Sequence, residues 1–483
     1  MLSLQNLSSF GDVAAEDDAV LDYFLATNVV SEIQSSRAFL VLGRKGTGKT
    51  AIVRFLTEGN KKPNNFAKSL NLRGYPWALH AKIKDRGASE IEAYVSSWRY
   101  IIFIEIASLI LSHPRITHSM HAKGIKEFLQ ENYGGSSPDL GDILRPRKLK
   151  LGKLSVQPSI MGNQLGSLDL ERTEKDYQLG LELNALARAL FASIVHVIQE
   201  AGLGLISIHF DELDQGLSTL DESRKQMLIG LVLAAREVKR ECDKEGVAIN
   251  PIVYLRTDLW DELQFSDKNK ISQTLTLNLS WKIESLLDLV ETRLRAKLSE
   301  DAKWDDIAEN DLMRGSQTKW NHILARTFLR PRDVIRFLNA SLTEAKRRSV
   351  DPLYFTNKDI VNSRDDYSTY LENELDDEIR HHWPQWDEAL QACSAISTIT
   401  FDRSDFVREY DRRKSNSNFI TSEEALRILY RFSVIGYEKR SGYGGSSWSF
   451  QYIEPEVGWD NAASRFKVHL GLKEYAKLRE TRQ

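Results

Sequence analysis

The sequence predicts an α/β fold in which a parallel β-sheet is flanked by helices and followed by further helical and mixed elements. Three observations carry this prediction. Apolar runs end in polar or acidic residues at three places, helical stretches follow these runs, and a glycine-rich segment joins the first run to its helix. Buried parallel strands read as continuous apolar runs, and their ligand-facing groups lie at the carboxyl ends.

The first strand–loop–helix unit carries the pattern of a phosphate-binding loop. The apolar residues 39–42 lead into Gly-Arg-Lys-Gly-Thr-Gly-Lys-Thr at 43–50, and a helix follows. This G-x-x-x-x-G-K-T pattern predicts backbone N–H groups around a phosphate. Lys49 is predicted to reach the β- and γ-phosphates of ATP and to act in catalysis, and the Thr50 hydroxyl to ligate Mg²⁺. The predicted cofactor-binding residues are Gly43, Lys45, Gly46, Thr47, Gly48, Lys49, Thr50 and Ala51.

The chain between the first and second nucleotide motifs is predicted to contain an inserted segment at about 113–182. A second strand is expected at residues 78–83, and helices at 101–111 and 183–201. Within the insertion, residues 145–153 carry five basic side chains. Such a run is either a solvated surface or a contact for nucleic acid or another partner.

A further apolar run, residues 203–210, ends in the acids Asp211 and Glu212. Asp211 is predicted to hold Mg²⁺, and Glu212 to be the catalytic base that orients or deprotonates the attacking water. The alternative is a pair of acids at a helix N-terminus without a catalytic role. A carboxylate beside the Mg²⁺ ligand favours hydrolysis of ATP to ADP and phosphate.

A third strand-like run, residues 252–255, ends in Arg256, Thr257 and Asp258. A polar side chain at this strand end can contact the γ-phosphate or the attacking water, so Thr257 and Asp258 are candidates and Asp258 is assigned as catalytic. The alternative for these residues is capping of the next helix. Arg256 either pairs with an acid or reaches the nucleotide of a neighbouring subunit.

A helical region follows from residue 283 to residue 345, and Pro331 is predicted to begin a helix within it. Arg332, near that helix start, faces an unfavourable dipole, which favours an anionic partner. Arg332 is a candidate for the catalytic set. The alternative is a surface arginine that pairs with an acid.

The C-terminal region is predicted to be a winged-helix-like domain. A helix at residues 423–432 precedes two alternating strands at 434–440 and 447–453, which flank a glycine-rich turn. The wing at residues 439–446 carries Lys439 and Arg440, which suit either a nucleic-acid backbone or a protein partner.

The composition is that of an ordinary globular chain. Of the 483 residues 42% are hydrophobic, and 65 Lys+Arg against 68 Asp+Glu give a net charge of −3, which excludes a global basic field for nucleic acid. Cys242 and Cys393 have no metal-type spacing, and no signal peptide is expected. The most apolar run, residues 100–111, is too short to span a bilayer and carries Glu105, so no membrane is expected and the cytoplasm is the predicted location.

The ordered motifs resemble those of the AAA+ and STAND branch of P-loop ATPases. Residues 43–50, Asp211-Glu212, residues 256–258 and residues 330–333 follow the order Walker A, Walker B, sensor 1 and sensor 2, with a C-terminal winged helix as in origin-recognition-type members. The chain also resembles bacterial P-loop ATPases that begin with Phe-Gly-x-x-x-Ala-Glu, here residues 10–16, and close with a motif like residues 466–475. Members of that group often occur in antiphage or mobile-element operons.

This resemblance implies an α/β P-loop NTPase of AAA+-like layout that acts as a Mg²⁺-dependent ATPase switch. It implies an ATPase core at residues 1–280, a helical lid at 281–365 and a winged-helix-like domain at 366–483. It also implies assembly with itself or with an effector protein, and a role in antiviral defence. Two alternatives stay open, an ATP-gated DNA-binding protein and a P-loop kinase. Arg236, Arg240 and Arg256 are all open candidates for an arginine finger.

Overall fold

The computed structural model describes residues 3–35, 38–59, 64–81, 90–113, 116, 119–144, 179–213, 220–440 and 445–480. The chain divides into two units. The first, here the sheet unit, comprises Ala26–Arg44 and Lys49–Leu279. The second, here the C-terminal unit, comprises Met1–Leu25, Lys45–Gly48 and Ser280–Gln483. Residues 1–25 therefore fall with the C-terminal part of the chain, and the predicted division into core, lid and winged-helix-like domain stays a prediction.

The sheet unit contains a parallel sheet, which confirms the predicted α/β fold class. Its strands are β1 (Leu40–Leu42), β2 (Phe66–Asn71), β3 (Ile206–Asp211), β4 (Ile249–Leu255) and β5 (Thr276–Asn278). Their order across the sheet is β2-β3-β4-β1-β5, and each neighbouring pair is parallel. Because parallel strands run the same way, the carboxyl ends of β1, β3 and β4 lie at one edge of the sheet.

Helices surround this sheet, and the longest of them form a buried layer. The helix α4 packs against α7, α8 and β3. The helices of the sheet unit are α1 (Asn28–Ser35), α2 (Lys49–Arg54), α3 (Trp77–His80), α4 (Glu90–Leu111), α5 (Met120–Tyr133), α6 (Leu140–Leu144), α7 (Leu179–Ala201), α8 (Glu222–Lys244), α9 (Thr257–Glu262) and α10 (Lys268–Thr274).

The helix α4 is longer than the apolar run that the sequence singled out. The apolar run at residues 100–111 is the C-terminal half of this helix, which has 22 residues and by length and composition alone could cross a membrane. Most of its apolar window, 83%, is buried inside the protein. Its acid Glu105 is buried, and its carboxylate accepts a hydrogen bond from Lys68 Nζ at 2.6 Å. Burial raises the pKa of Glu105 and the nearby Lys68 opposes that rise.

The second strand lies elsewhere than predicted. Residues 77–80 form the helix α3, and the strand β2 is at Phe66–Asn71. Trp77 and His80 enter a buried aromatic cluster in which the Tyr75 hydroxyl lies 2.6 Å from His80 Nδ1. The strand β2 is not recognisable as an apolar run because it is an edge strand, in which five of the six residues are half-buried or exposed.

The C-terminal unit combines helices with an antiparallel sheet of order β6-β9-β7-β8, in which β6 and β7 both pair with β9. The predicted turn after β7 includes residues 441–444, and the basic run 145–153 precedes α7; both lie outside the described residues. The elements are α11 (Ile283–Lys297), α12 (Lys319–Leu324), α13 (Pro331–Arg348), α14 (Asn357–Asn362), α15 (Arg364–Ile379), α16 (Asp387–Ile396), β6 (Thr400–Asp402), α17 (Arg403–Arg413), α18 (Ser422–Arg431), β7 (Ile435–Arg440), β8 (Ser446–Ser449) and β9 (Arg465–Val468).

The N-terminal Phe-Gly pair has a structural role within the C-terminal unit. The Phe10 side chain is buried, and its ring stacks with that of Phe355 at a centroid distance of 6.2 Å. Gly11 has a φ of +108°, and a Cβ there would lie 2.0 Å from Arg293 Nη1. That nitrogen donates to the Phe10 carbonyl at 2.7 Å and to Asp18 Oδ2 at 3.0 Å. Only glycine lets the buried guanidinium approach the chain this closely.

Gly11→Ala is expected to lower the free energy of unfolding by roughly 2–4 kcal/mol, because the new Cβ both strains the backbone and displaces Arg293. Urea unfolding monitored by circular dichroism measures the loss. Gly458→Ala is the matched control in the same unit, since nothing lies within 4 Å of a Cβ at that position. Equal stability of the Gly11 variant and the native protein would contradict this account of the motif.

Candidate active site

The loop at residues 43–50 joins β1 to α2, so the predicted strand–loop–helix order is present. The Gly43 N–H donates to the Leu255 carbonyl at 3.2 Å, which fixes the loop start to the end of β4. Gly46 and Gly48 have φ values of +81° and +96°, a region that glycine adopts readily. Lys49 Nζ donates to the carbonyls of Gly43 at 2.8 Å and Arg44 at 3.1 Å. The ammonium is therefore held against the loop backbone.

The remaining residues of the predicted loop site are Thr47, Thr50 and Ala51. Thr50 and Ala51 lie in the first turn of α2, which begins at Lys49. Thr47 is buried, and its carbonyl accepts a hydrogen bond from Trp281 Nε1 at 2.9 Å. A threonine hydroxyl is a hard oxygen ligand of the kind that Mg²⁺ prefers.

The tip of the loop, Lys45–Gly48, belongs to the C-terminal unit and is held there by charged side chains. Lys45 Nζ lies 2.9 Å from Asp377 Oδ2 and 3.4 Å from Glu374 Oε2, both on α15. A Cβ on Gly46 would lie 2.8 Å from the Arg332 Cβ. Gly46 is therefore required both by its positive φ and by the close approach of the Arg332 side chain.

Two arginines of the Arg-Pro-Arg-Asp segment contact this loop tip differently. Arg330 Nη1 donates to the Lys45 carbonyl at 2.8 Å, and its guanidinium is buried between Asp333 and Glu378. Arg332 pairs with Glu374 at 3.2 Å. The helix α13 begins at Pro331 as predicted, and Arg332 takes the acid-paired arrangement that the sequence left as an alternative.

The sequence reading did not single out Arg330 as a structural residue, nor the acids that hold the loop tip. Glu374, Asp377 and Glu378 are spaced i, i+3 and i+4 on α15, so they share one helix face. This acidic spacing is a visible signal in the sequence. The sequence does not reveal that Lys45 is the partner of this helix face, because the two lie more than 300 residues apart along the chain.

The acids Asp211 and Glu212 lie at the carboxyl end of β3, and both are buried, with exposed fractions of 4% and 6%. All six residues of β3 are buried, as predicted for a central parallel strand. Glu212 has a φ of +58°, which is uncommon for a residue with a side chain and costs about 1–3 kcal/mol. The strand β4 lies between β3 and β1, so the acids and the start of the loop share one sheet edge.

The strand β3 also carries buried polar side chains that form hydrogen bonds with each other and with the neighbouring strand β4. His209 Nδ1 lies 3.0 Å from the Tyr254 hydroxyl, and His209 Nε2 lies 3.0 Å from Ser207 Oγ. Burial lowers the pKa of His209 to about 3, so its imidazole is neutral near pH 7. Burial, together with the charge of Asp211, raises the pKa of Tyr254. His209 and Tyr254 thus contribute hydrogen bonds rather than charge.

The end of β4 carries a bidentate ion pair. Arg256 Nε and Nη2 donate to the Asp258 carboxylate at 3.0 Å and 2.7 Å. Of the two roles considered for Arg256, pairing with an acid is the one present. Thr257 begins the helix α9, and the catalytic assignment of Asp258 stays a prediction. Arg236 pairs with Asp267 at 2.5 Å.

A magnesium ion fits the donor set predicted for it. Thr50 supplies a hydroxyl and Asp211 a carboxylate, and Mg²⁺ typically binds one or two such protein oxygens together with phosphate and water. Within the part of the chain that the structure describes, no group of three or more His, Cys, Asp or Glu side chains forms an all-protein metal site.

The sheet unit is thus an α/β P-loop core with an acidic strand end beside the loop. Residues 284–376 match the family model described as the FunZ-associated C-terminal helical domain. Over 365 residues the chain is 24% identical to the "Putative transposon gamma-delta 80.3 kDa protein" of Escherichia coli strain K12. That alignment covers 72% of this chain and 48% of the relative, so the chain spans about half the length of this curated relative.

Two solved structures are also similar over most of their length, at low TM-scores. The Aeropyrum pernix Orc1 protein, solved in complex with DNA, is 11% identical with a TM-score of 0.36, covering 93% of this chain and 89% of that one. Cdc6p from Pyrobaculum aerophilum is 13% identical with a TM-score of 0.31, covering 92% and 89%. At these scores no residue role is transferred from either structure.

Proposed function

We propose that this protein is a Mg²⁺-dependent ATPase that acts as a conformational switch. The observation that carries the proposal is the shared sheet edge, where the glycine-rich loop follows β1 and the buried pair Asp211-Glu212 ends β3. Loop N–H groups and Lys49 bind the phosphates, and Thr50 and Asp211 hold Mg²⁺. A Mg²⁺ ion held by these two residues would supply neutralisation of the charge on the transferred phosphoryl group.

Within this proposal Glu212 orients the attacking water and takes its proton. Burial and the fixed backbone at Glu212 place one carboxylate at the strand end, which is the preorganisation that a general base needs. Asp258 and Arg332 complete the proposed catalytic set. Asp258 is paired with Arg256, and Arg332 with Glu374.

The proposed switch lies in the loop tip. Lys45 is paired with Glu374 and Asp377, and Arg332 is paired with Glu374. A triphosphate in the loop competes with these carboxylates for the two cations, because phosphate oxygens form strong charge-assisted hydrogen bonds. Exchange of these partners between the ATP and ADP states changes how α15 is held within the C-terminal unit.

We further propose an AAA+-like layout with a C-terminal winged helix and assembly with itself or an effector partner. The order helix, strand, two helices, hairpin and return strand from α16 to β9 supports the winged helix. The relative's name refers to a transposon, which supports a mobile-element setting. A role in antiphage defence stays a prediction. Contact of nucleic acid through residues 145–153 or 439–446 stays a prediction, as does the cytoplasmic location.

Lys49→Ala is expected to weaken Mg·ATP binding at least 100-fold, which corresponds to about 2.7 kcal/mol, because the phosphate charge loses its main cation. Equilibrium binding of a fluorescent ATP analogue and phosphate release measure this. Lys126→Ala on the exposed face of α5 is the matched control. Unchanged affinity and turnover in Lys49→Ala would reject the proposed nucleotide site.

A further inference from the structure

A large cavity lies wholly within the C-terminal unit, and none of its lining residues belongs to the glycine-rich loop. Its volume is about 830 Å³, within the range of pockets that enclose small ligands. Residues from α12, α14, β6, β8 and β9 contribute to its wall. We call it the basic cavity, after the six cationic side chains Arg314, Arg326, Arg364, Arg465, Lys467 and Lys473.

The deepest of these cations is Arg326, which is only 5% exposed. Its Nη1 donates to the His322 carbonyl at 3.0 Å, but its Nε finds no hydrogen-bond partner among the described residues. The same holds for Nε2 of His322, which is equally buried and lines the cavity beside it. Burial lowers the pKa of Arg326 to about 10, so the guanidinium is still charged near pH 7. An unsatisfied donor on a buried cation is costly unless an acceptor reaches it.

Two further cations come from the motif that closes the chain, residues 466–475. Lys467 Nζ lies 5.6 Å from the centroid of the Trp448 ring, and burial lowers the pKa of Lys467. Lys473 Nζ pairs with Glu480 at 2.5 Å. Glu480 is the one acid among the described residues that line the cavity. The lysines of this motif, which the proposed ATPase site does not use, thus face a cavity with excess positive charge.

Acids outside the lining reduce this charge without balancing it. Arg364 lies 3.3 Å from Glu474, and Arg465 lies 3.7 Å from Glu438. With Glu480, three carboxylates stand against six cations. A single carboxylate ligand would leave most of that charge unmet, whereas a polyphosphate supplies several anionic oxygens in one small volume. The planar donors of Arg326 and Arg364 match the geometry of phosphate oxygens.

We propose that the basic cavity binds a phosphate-bearing nucleotide, separately from ATP in the glycine-rich loop. Arg326, Lys467 and Lys473 contact the phosphates, as does Arg465 from the same cavity wall. The base lies against Trp448, whose ring also lines the cavity. A half-open cavity of this volume has the size that a mononucleotide or dinucleotide requires. This proposal does not depend on hydrolysis at Glu212.

The test uses the full chain carrying Lys49→Ala, so that the loop site is disabled. Isothermal titration calorimetry with inorganic tripolyphosphate, nucleoside triphosphates and cyclic dinucleotides is expected to give one saturable site per chain. Lys467→Gln and Arg465→Gln are expected to weaken binding at least tenfold. Trp448→Ala is expected to weaken nucleotide binding while leaving tripolyphosphate binding within about twofold, because only the base meets the ring.

Arg347→Gln, an exposed arginine outside the cavity, is the control and should leave affinity unchanged. Arg326→Met tests the buried cation, and circular dichroism verifies that this variant folds. If it misfolds, the Lys467→Gln and Arg465→Gln variants decide the question. No saturable binding of any probe, binding that survives Lys467→Gln and Arg465→Gln, or binding of single-stranded oligonucleotide alone would overturn the proposal. Failure of ATP hydrolysis in the native protein would leave this result untouched.

Discussion

Glu212→Gln is expected to lower ATP turnover by roughly 10²–10⁴-fold while Mg·ATP stays bound. Glutamine keeps the shape and hydrogen-bonding reach of the side chain but cannot accept a proton from water. The residue is buried at a left-handed backbone position, so the amide is held where the carboxylate was. Single-turnover phosphate release and nucleotide affinity, measured on the same preparation, separate chemistry from binding.

Glu245→Gln provides the matched control, because Glu245 is an exposed acid that ends α8 in the same unit. Its turnover should equal that of the native protein. A Glu212→Gln variant that hydrolyses ATP at the native rate would remove Glu212 as the base. Loss of affinity together with turnover would instead assign Glu212 to binding or to the local fold.

Arg330→Ala is expected to lower the free energy of unfolding by about 3–5 kcal/mol, because it removes the buried cation that pairs with two buried carboxylates. Arg330 is 2% exposed and contacts Asp333 at 2.9 Å and Glu378 at 2.7 Å. Burial alone lowers its pKa, but these two acids outweigh that effect and raise it. Urea unfolding of the full chain, followed by circular dichroism and tryptophan fluorescence, measures the change.

Arg332→Ala is the paired comparison, two residues further along the chain. Arg332 is partly exposed and its pair with Glu374 is weaker, so the expected loss of stability is below about 1 kcal/mol. Its proposed role predicts a loss of turnover instead. An equal loss of unfolding free energy in the two variants would show that the buried ion pairs of Arg330 stabilise the protein no more than the exposed pair of Arg332. Full ATPase activity of Arg332→Ala would remove Arg332 from the catalytic set.

Local spacing was enough to predict the parallel sheet and the order of its motifs. The strand before Gly43 and the apolar run before Asp211 each depend on neighbouring residues only, as does the helix start at Pro331. These features arise from backbone propensity and burial within one element. The spacing of apolar residues in the sequence indicates both of these directly.

Features that depend on tertiary contacts were not predictable in the same way. The edge strand β2 has few fully buried residues, so its pattern is weak, and the aromatic contacts of Tyr75 and His80 favour a helix where alternation suggested a strand. The acids on α15 that hold Lys45 and the cations of the basic cavity come from segments far apart in sequence. Such groupings follow from packing, and single-sequence periodicity carries no information on packing partners.

The placement of residues 1–25 in the C-terminal unit has a consequence for synthesis of the chain. The Phe10 N–H donates to Asn339 Oδ1, a contact that spans 329 positions. At about 5–20 residues per second, roughly 15–65 s separate translation of these two residues. Leu4, Leu7 and Phe10 are all buried in the folded protein against residues of the C-terminal unit. These residues are synthesised only after the whole sheet unit has emerged from the ribosome. These three side chains can therefore reach their native partners only after the C-terminal part of the chain has been made.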